Sequence, residues 1–281
     1  MSKVIYNGKL KSAGAGVIPT SNRAFRLGDG VFESVRIING NPCFLDNHLN
    51  RLKMGLSALY IDIPENYSFE KMEEEVLDLI KENGITKGGK VRITVSRASE
   101  GNYLPIDARG FDYLIEVTPL DSNVFSLNQK GLVVDIYPDL RKQINRLSYY
   151  KTLNCQLYIM SSLYAMHNEL DDVLITNEAD CIIESANSNL FIVSNGVLYT
   201  PPLADGCLGG TMRMEVINTA LRHEIKVYET TLRPQNLLVA DEVFLTNAIQ
   251  GIQWVSSYRQ KRYYHNLSER LVEYLNMAVS P

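Results

Sequence analysis

Leu49, Leu52, Leu56 and Leu59 recur at helical spacing in "NHLNRLKMGLSALY". Met72, Val76, Leu79 and Ile80 mark one face of a second amphipathic helix in "FEKMEEEVLDLIKENG", with Gly84 placed to cap it. Ahead of these helices the period falls to two. "GVFESVRIINGNPCFL" alternates apolar and polar positions about Asn39-Gly40 and predicts a hairpin. "VRITVS" and "FDYLIEV" predict two more strands. Residues 118–131, "TPLDSNVFSLNQKG", follow neither period. They are polar and turn-rich, and we place a linker at 121–131, between an N-terminal domain at 1–120 and a C-terminal domain at 132–281. Beyond it, "LVVDIY", "DVLIT", "CIIES", "NLFIVS", "VLYT", "KVYET" and "EVFLT" predict short strands, with a hairpin at Asn195-Gly196. Helices are predicted from Lys151 to about His167 and after the glycine-rich "LGG". The fold class is α+β, two mixed domains, with no internal repeat.

Composition narrows the function. A chain of 281 residues can build two domains with real cores. At 45% hydrophobic and 21% charged residues it reads as an ordinary soluble protein. A net charge of −4 argues against a nucleic-acid partner. No stretch approaches the length of a membrane span, and "MSKVIYNGKL" has no apolar signal core, so a cytoplasmic protein is expected. Cys43, Cys155, Cys181 and Cys207 are far apart with no CxxC spacing, which suits a reducing compartment. His48, His167, His223 and His265 form no HExxH pattern, so no metal is expected.

Four places carry candidate chemistry. Lys151 heads a largely apolar stretch, where a buried ammonium is costly; the bland alternative is a lysine whose stem lies along the surface. Glu184 ends the apolar "CIIES" and must be paired or solvated there. In "LGGTMR", Gly209 and Gly210 allow close backbone approach, and Thr211 begins a helix whose N–H groups can cup a phosphate; an ordinary capped helix is the alternative. Arg51 sits at the edge of an apolar helix face, where a guanidinium can grip a phosphate or simply be solvated. "LGDGVFES" lacks the third glycine and the following helix of a dinucleotide fingerprint, so "GDG" reads as a turn.

In this order, with "GDGVFES", "HLNRL", "YKTLN", "IIESANSNLF", "LGGTMR" and "DEVFLTNAIQG", the chain resembles the class IV (fold type IV) pyridoxal-phosphate-dependent aminotransferases. That family includes branched-chain aminotransferases, D-amino acid aminotransferases and aminodeoxychorismate lyases. The resemblance implies two mixed α/β domains with the cofactor between them, and a homodimer. It implies that Lys151 joins the cofactor covalently, that Glu184 faces its pyridine nitrogen, and that Arg51, Gly210 and Thr211 take its phosphate. Leu208 matches the residue packed on the ring, Asn189 a cofactor neighbour, and Asn247 and Ala248 a second phosphate-facing turn. Where many relatives have a hydroxyl residue, Ala248 leaves only a backbone N–H. Phe32, Arg97 and Tyr103 fall where substrate is expected. D-amino acid aminotransferases carry a tyrosine at the place of Phe32 and an Arg-x-His pair after the strand; "SRASEGNYLP" has no such pair. The activity implied is amino transfer between an amino acid, branched-chain type favoured, and a 2-oxo acid. Aminodeoxychorismate lyase is the alternative. A non-catalytic binding paralogue is disfavoured because Lys151, Glu184, Arg51 and Thr211 are all present.

Overall fold

A computed structural model describes residues 2–65, 67–107 and 110–279. The chain divides into two compact units. One holds the described residues up to Val124 together with Tyr150–Asn154; the other holds Phe125–Tyr149 and the described residues from Cys155 onward. The boundary at Val124/Phe125 lies inside the segment expected as a linker.

The first unit contains β1 (Lys3–Tyr6), β2 (Lys9–Ser12), α1 (Arg23–Leu27), β3 (Gly30–Ile38), β4 (Asn41–Pro42), α2 (Leu45–Ala58), α3 (Phe69–Glu82), β5 (Gly89–Arg97) and β6 (Phe111–Pro119). Its sheet runs in the order β2-β1-β6-β5-β3-β4, every pairing antiparallel. Period-two alternation sends Val31, Val35, Ile37, Val91, Ile93, Val95, Ile115 and Val117 to one face. There they meet Leu49, Leu52 and Leu56 of α2 and Met72, Val76, Leu79 and Ile80 of α3. Fully burying each such side chain contributes about 1.5–3 kcal/mol, so this face carries the unit's stability. Ser68 caps α3 by accepting from the Lys71 N–H, which fixes where that helix starts.

The "GDG" turn links α1 to the sheet. Gly28 closes α1 at φ +65°. Gly30 opens β3 where a Cβ would stand 2.2 Å from the Val95 carbonyl oxygen, so no larger residue fits.

Lys151 is not in a helix. The expected helix starts only at Gln156, and the segment before it is a short strand-like hook on β3. The Lys151 carbonyl accepts from the Phe32 N–H at 2.9 Å, and the Leu153 N–H donates to the Gly30 carbonyl at 2.9 Å. Val31 and Thr152 form the bridge between these bonds. This pairing groups Lys151 with the first unit, where the sequence reading places it in the second domain.

The second unit contains β7 (Leu132–Ile136), α4 (Gln156–His167), β8 (Asp172–Thr176), β9 (Ile182–Ser185), β10 (Asn189–Ser194), β11 (Val197–Thr200), α5 (Thr211–Arg222), β12 (Val227–Glu229), α6 (Pro234–Val239), β13 (Glu242–Asn247), β14 (Gly251–Tyr258), β15 (Lys261–Arg262) and α7 (Asn266–Val279). The sheet order is β12-β11-β10-β13-β14-β7-β8-β9, with β15 on β14. Pairings β11–β12, β14–β7 and β7–β8 are parallel. β9 also returns to β10, where Glu184 pairs with Asn189, so six strands close into a ring. Leu174, Ile182, Leu190, Val243, Leu245 and Val255 fill part of its core. No helix of the described residues is long and apolar enough to cross a membrane.

Candidate active site

In the first unit, the face of β3 away from α2 and α3 carries Phe32, and cross-strand pairing sets Lys151 beside it. The Lys151 ammonium lies 4.4 Å from the centre of the Phe32 ring. Arg92, unmarked in the sequence reading, reaches the same ring, its Cζ 4.0 Å from the centre. Lys151 and Phe32 are therefore brought together as expected residues of one surface.

Arg51 is on the other face. Its Nε donates to Glu33 Oε1 at 2.7 Å and its Nη2 to Glu33 Oε2 at 2.6 Å, a planar fork on a carboxylate. His48 Nδ1 stands 2.7 Å from the same Oε2. Burial opposes ionisation of Glu33, but the Arg51 charge and the His48 contact outweigh it and bring its pKa down to about 2. Glu33 thus takes two of the five guanidinium N–H donors of Arg51. Its partnership with Arg51 follows from α2 lying over β3, which sequence spacing alone does not reveal.

Arg97 does not face this surface. Alternation turns Arg97 to the side of Val95, where it donates to Asp29 and to the carbonyls of Leu59 and Tyr60. Arg23 Nε donates to the same Asp29 oxygen, Oδ2, and Arg23 also donates to the carbonyls of Gly101 and Asn102. Burial works against the Asp29 charge, yet its hydrogen bonds from Arg97 and Arg23 win and lower its pKa. Arg97 is accordingly a buried clamp on the "GDG" turn rather than a substrate contact. Tyr103 is 92% exposed in the single chain.

In the second unit, closure of the ring puts Glu184 and Asn189 side by side under the Leu208–Thr211 turn. Glu184 is only 2% exposed and accepts three hydrogen bonds. Lys142 Nζ donates to its Oε1 at 2.7 Å, the Tyr158 hydroxyl donates to the same oxygen at 2.9 Å, and the Leu208 N–H donates to Oε2 at 2.7 Å. Burial and the adjacent Glu184 carboxylate push the Tyr158 phenol far up, so it stays a donor. Both oxygens of this buried carboxylate therefore have donors, as a buried polar group requires. Lys142 and Tyr158 went unread because their partner stands on a strand that meets them only in the folded ring.

Asn189 Nδ2 donates to the Leu208 carbonyl at 2.8 Å, so both backbone polar groups of Leu208 are bonded. A Cβ on Gly210 would lie 1.8 Å from Asn189 Oδ1, so any larger residue would displace the Asn189 amide from the turn. Gly210 is the N-cap of α5, and no side chain caps that helix. Its first-turn N–H groups form a positive helix end suited to a phosphate. Thr211 is buried at that end. The Thr246 hydroxyl, cross-strand from Asn189, is buried without a partner among the described residues. Asn247 closes the β13–β14 turn through its Oδ1, which accepts from the Ile249 and Gln250 N–H groups, and its Nδ2 donates to Ser188 Oγ at 2.9 Å. Ala248 offers that turn only its backbone.

The family model described as "Amino-transferase class IV" matches residues 30–258. A protein of Methanocaldococcus jannaschii, provisionally named a branched-chain-amino-acid aminotransferase, is 28% identical over 260 residues, covering 89% of this chain and 85% of its own. A D-alanine aminotransferase of Bacillus licheniformis is 25% identical over 260 residues, covering 91% and 88%. A crystal structure from Legionella pneumophila, provisionally named a 4-amino-4-deoxychorismate lyase, superposes with a TM-score of 0.81 at 27% identity, covering 94% of this chain and 96% of that one.

Proposed function

This chain belongs to the class IV aminotransferases, a family of pyridoxal-phosphate-dependent enzymes of fold type IV, and from that premise we propose that it moves an amino group between an amino acid, of branched-chain type in preference, and a 2-oxo acid. The observation that carries the reading is the buried Glu184 carboxylate, which accepts from Lys142, Tyr158 and the Leu208 N–H. Buried carboxylates provided with a specific set of donors cluster at functional sites.

The residues fit the cofactor. The close approach of Gly210 to Asn189, the α5 start without a side-chain cap and the Thr246 hydroxyl without a partner among the described residues suit a bound phosphate. When bound, pyridoxal phosphate supplies an aldehyde that condenses with amines and a ring that accepts the electrons of a broken Cα–H bond. Lys151 Nζ is the nitrogen that would hold it, and as a free amine it would serve as the base that takes an α-proton and returns it elsewhere. Glu184 would hold the ring nitrogen protonated by placing a negative charge against it. Gly210, Thr211, the Ala248 N–H and Asn247 would meet the phosphate, and Arg51 is the arginine that the family resemblance adds to them. Leu208 would pack on the ring, Asn189 would fix the Leu208 turn, and Phe32 would border the substrate.

Mixing the purified holoenzyme with single amino acids tests this reading. Leucine, isoleucine or valine is expected to convert the cofactor from its aldehyde to its amine absorbance and to release one equivalent of 2-oxo acid. The second reading, aminodeoxychorismate lyase, is favoured by the 27%-identical Legionella structure. It predicts no conversion by any of these donors, and release of pyruvate and 4-aminobenzoate from aminodeoxychorismate.

A homodimer in a reducing cytosol completes the proposal. Ile159, Leu163 and Met166 form an exposed apolar stripe on α4, and Tyr103, Leu104 and Ile106 expose a second apolar patch. Monomers rarely leave such surface uncovered. Sedimentation equilibrium is expected to give a mass of two chains, and Leu163→Glu is expected to shift it toward one. A wild-type monomer at micromolar concentration would remove the dimer from the proposal.

A further inference from the structure

We infer that the hairpin of β1 and β2 carries an anion site of its own, which takes the phosphate group of a small organic phosphate between Lys9 and Lys11. The site is a recess of about 480 Å³ lined by Tyr6, Lys9, Lys11, Ala15, Gly16 and Val17. Strand pairing builds it. β2 is an edge strand of its sheet, and its Lys9 and Lys11 stand opposite Tyr6 and Val4 of β1. Positions two apart on a strand share a face, so both ammonium groups rise from the same side of the sheet. The chain then turns at Gly16, φ +61°, and sets Ala15 and Val17 in the wall of the same recess. β2 lies four strand spacings from β3, roughly 19 Å across the sheet from Phe32, so this is a place apart from Lys151.

The two lysines have no counter-charge of their own. Lys3 of the same hairpin is paired with Glu82 at 2.6 Å. Lys9 and Lys11 make no ion pair and no side-chain hydrogen bond among the described residues. Asp112 and Glu116 of β6 share their face, two strands away. Asp112 is engaged by Asn7 Nδ2 at 2.8 Å, and among the described residues no ion pair joins Glu116 to either lysine. Two like charges on one face repel, and an anion between them turns that repulsion into attraction. The chemistry selects a phosphate. An ammonium is a point charge that meets a phosphate oxygen from many directions, whereas a carboxylate is best held by a planar fork, which this recess lacks. Bare phosphate would leave most of the recess empty, and Ala15, Val17 and the Tyr6 ring offer an apolar wall to an organic body. Burial and the nearby Asp112 charge raise the Tyr6 pKa, so its hydroxyl stays protonated and adds no negative charge.

Isothermal calorimetry on the holoenzyme tests the site, because the phosphate position proposed for the cofactor is then already filled. Phenyl phosphate is the probe, with inorganic phosphate and benzoate beside it. One equivalent of phenyl phosphate is expected to bind with a Kd on the order of 0.1–1 mM, weakening as salt is raised. Lys9→Gln and Lys11→Gln are each expected to weaken it on the order of 10-fold, and together to bring it below detection. Both positions are exposed, so the variants are expected to keep the wild-type far-ultraviolet dichroism. Inorganic phosphate is expected to bind more weakly than phenyl phosphate, and equal affinity overturns the organic body. Benzoate binding as tightly as phenyl phosphate overturns the choice of phosphate. Undiminished binding in the double variant places the heat elsewhere on the molecule, and no binding to the wild type removes the site; either result overturns the inference.

Discussion

Exchange of Lys151 for alanine is expected to lower turnover by a factor on the order of 10⁴ while leaving the fold in place. The two halves of that expectation have separate origins. What holds the segment is backbone: the Lys151 carbonyl and the Leu153 N–H are bonded to β3, and neither bond needs the lysine side chain. The Nζ contact with the Phe32 ring is worth about 0.5–1 kcal/mol at a partly exposed site, and its loss shifts a urea midpoint only slightly. What turnover loses is the atom that holds the cofactor and the base at the α-proton. Water or a free amine can replace that base only without its positioning. Borohydride reduction and peptide mapping are expected to find the cofactor on Lys151 in the wild type and on no residue of the variant. Methylamine in the buffer is expected to restore a small part of the activity, since a small amine can enter the space the side chain leaves. An adduct that persists on another lysine, or a variant that retains a tenth of wild-type activity, would show that Lys151 is only a lysine stacked on a ring.

Local signals were legible and long-range pairings were not. The apolar spacing of Met72, Val76, Leu79 and Ile80 becomes the buried face of α3, because that face needs only a neighbour and not a particular one. Asn39-Gly40 and Asn195-Gly196 become tight turns with φ values of +51°, +73°, +51° and +75°, since few other pairs tolerate two left-handed residues. Lys151 misleads because the apolar run of α4 begins five residues after it. The segment's true partner is β3, more than a hundred residues upstream, and periodicity carries no trace of that pairing. α7 has helical spacing at Leu267, Leu271 and Leu275, which a reading of the strands passes over. At the candidate site, Glu184 and the Gly210 turn could be named from type and order. Lys142, Tyr158 and Arg92 could not, because each gains its meaning from a cross-strand or cross-element neighbour. Arg97 shows the converse: a residue type suited to substrate, assigned by geometry to hold Asp29.

The second large effect concerns Glu184, and the structure changes what its amide variant should do. Glutamine has the shape of glutamate but one oxygen and one NH₂ in place of two acceptors. With the oxygen toward Lys142 and Tyr158, the NH₂ opposes the Leu208 N–H; turned over, it opposes an ammonium and a hydroxyl. Either way donors face donors, and Lys142 is left partly buried without a counter-charge. Glu184→Gln is therefore expected to lose about 3–5 kcal/mol of stability in urea unfolding. Lys142→Met in the same chain should return much of it, because the uncompensated ammonium is then gone. The chemical effect is independent of that repair. In the double variant, which stays folded, no negative charge keeps the ring nitrogen protonated, and α-proton removal is expected to slow by a factor on the order of 10²–10³ or more. Lys142→Met alone leaves the carboxylate with Tyr158 and Leu208 as donors, so its proton-removal step should stay much nearer that of the wild type. Single-turnover rates with an α-deuterated donor read that step directly in all four proteins. Should the double variant remove the α-proton at the wild-type rate, Glu184 would be a structural carboxylate whose purpose is to bury Lys142.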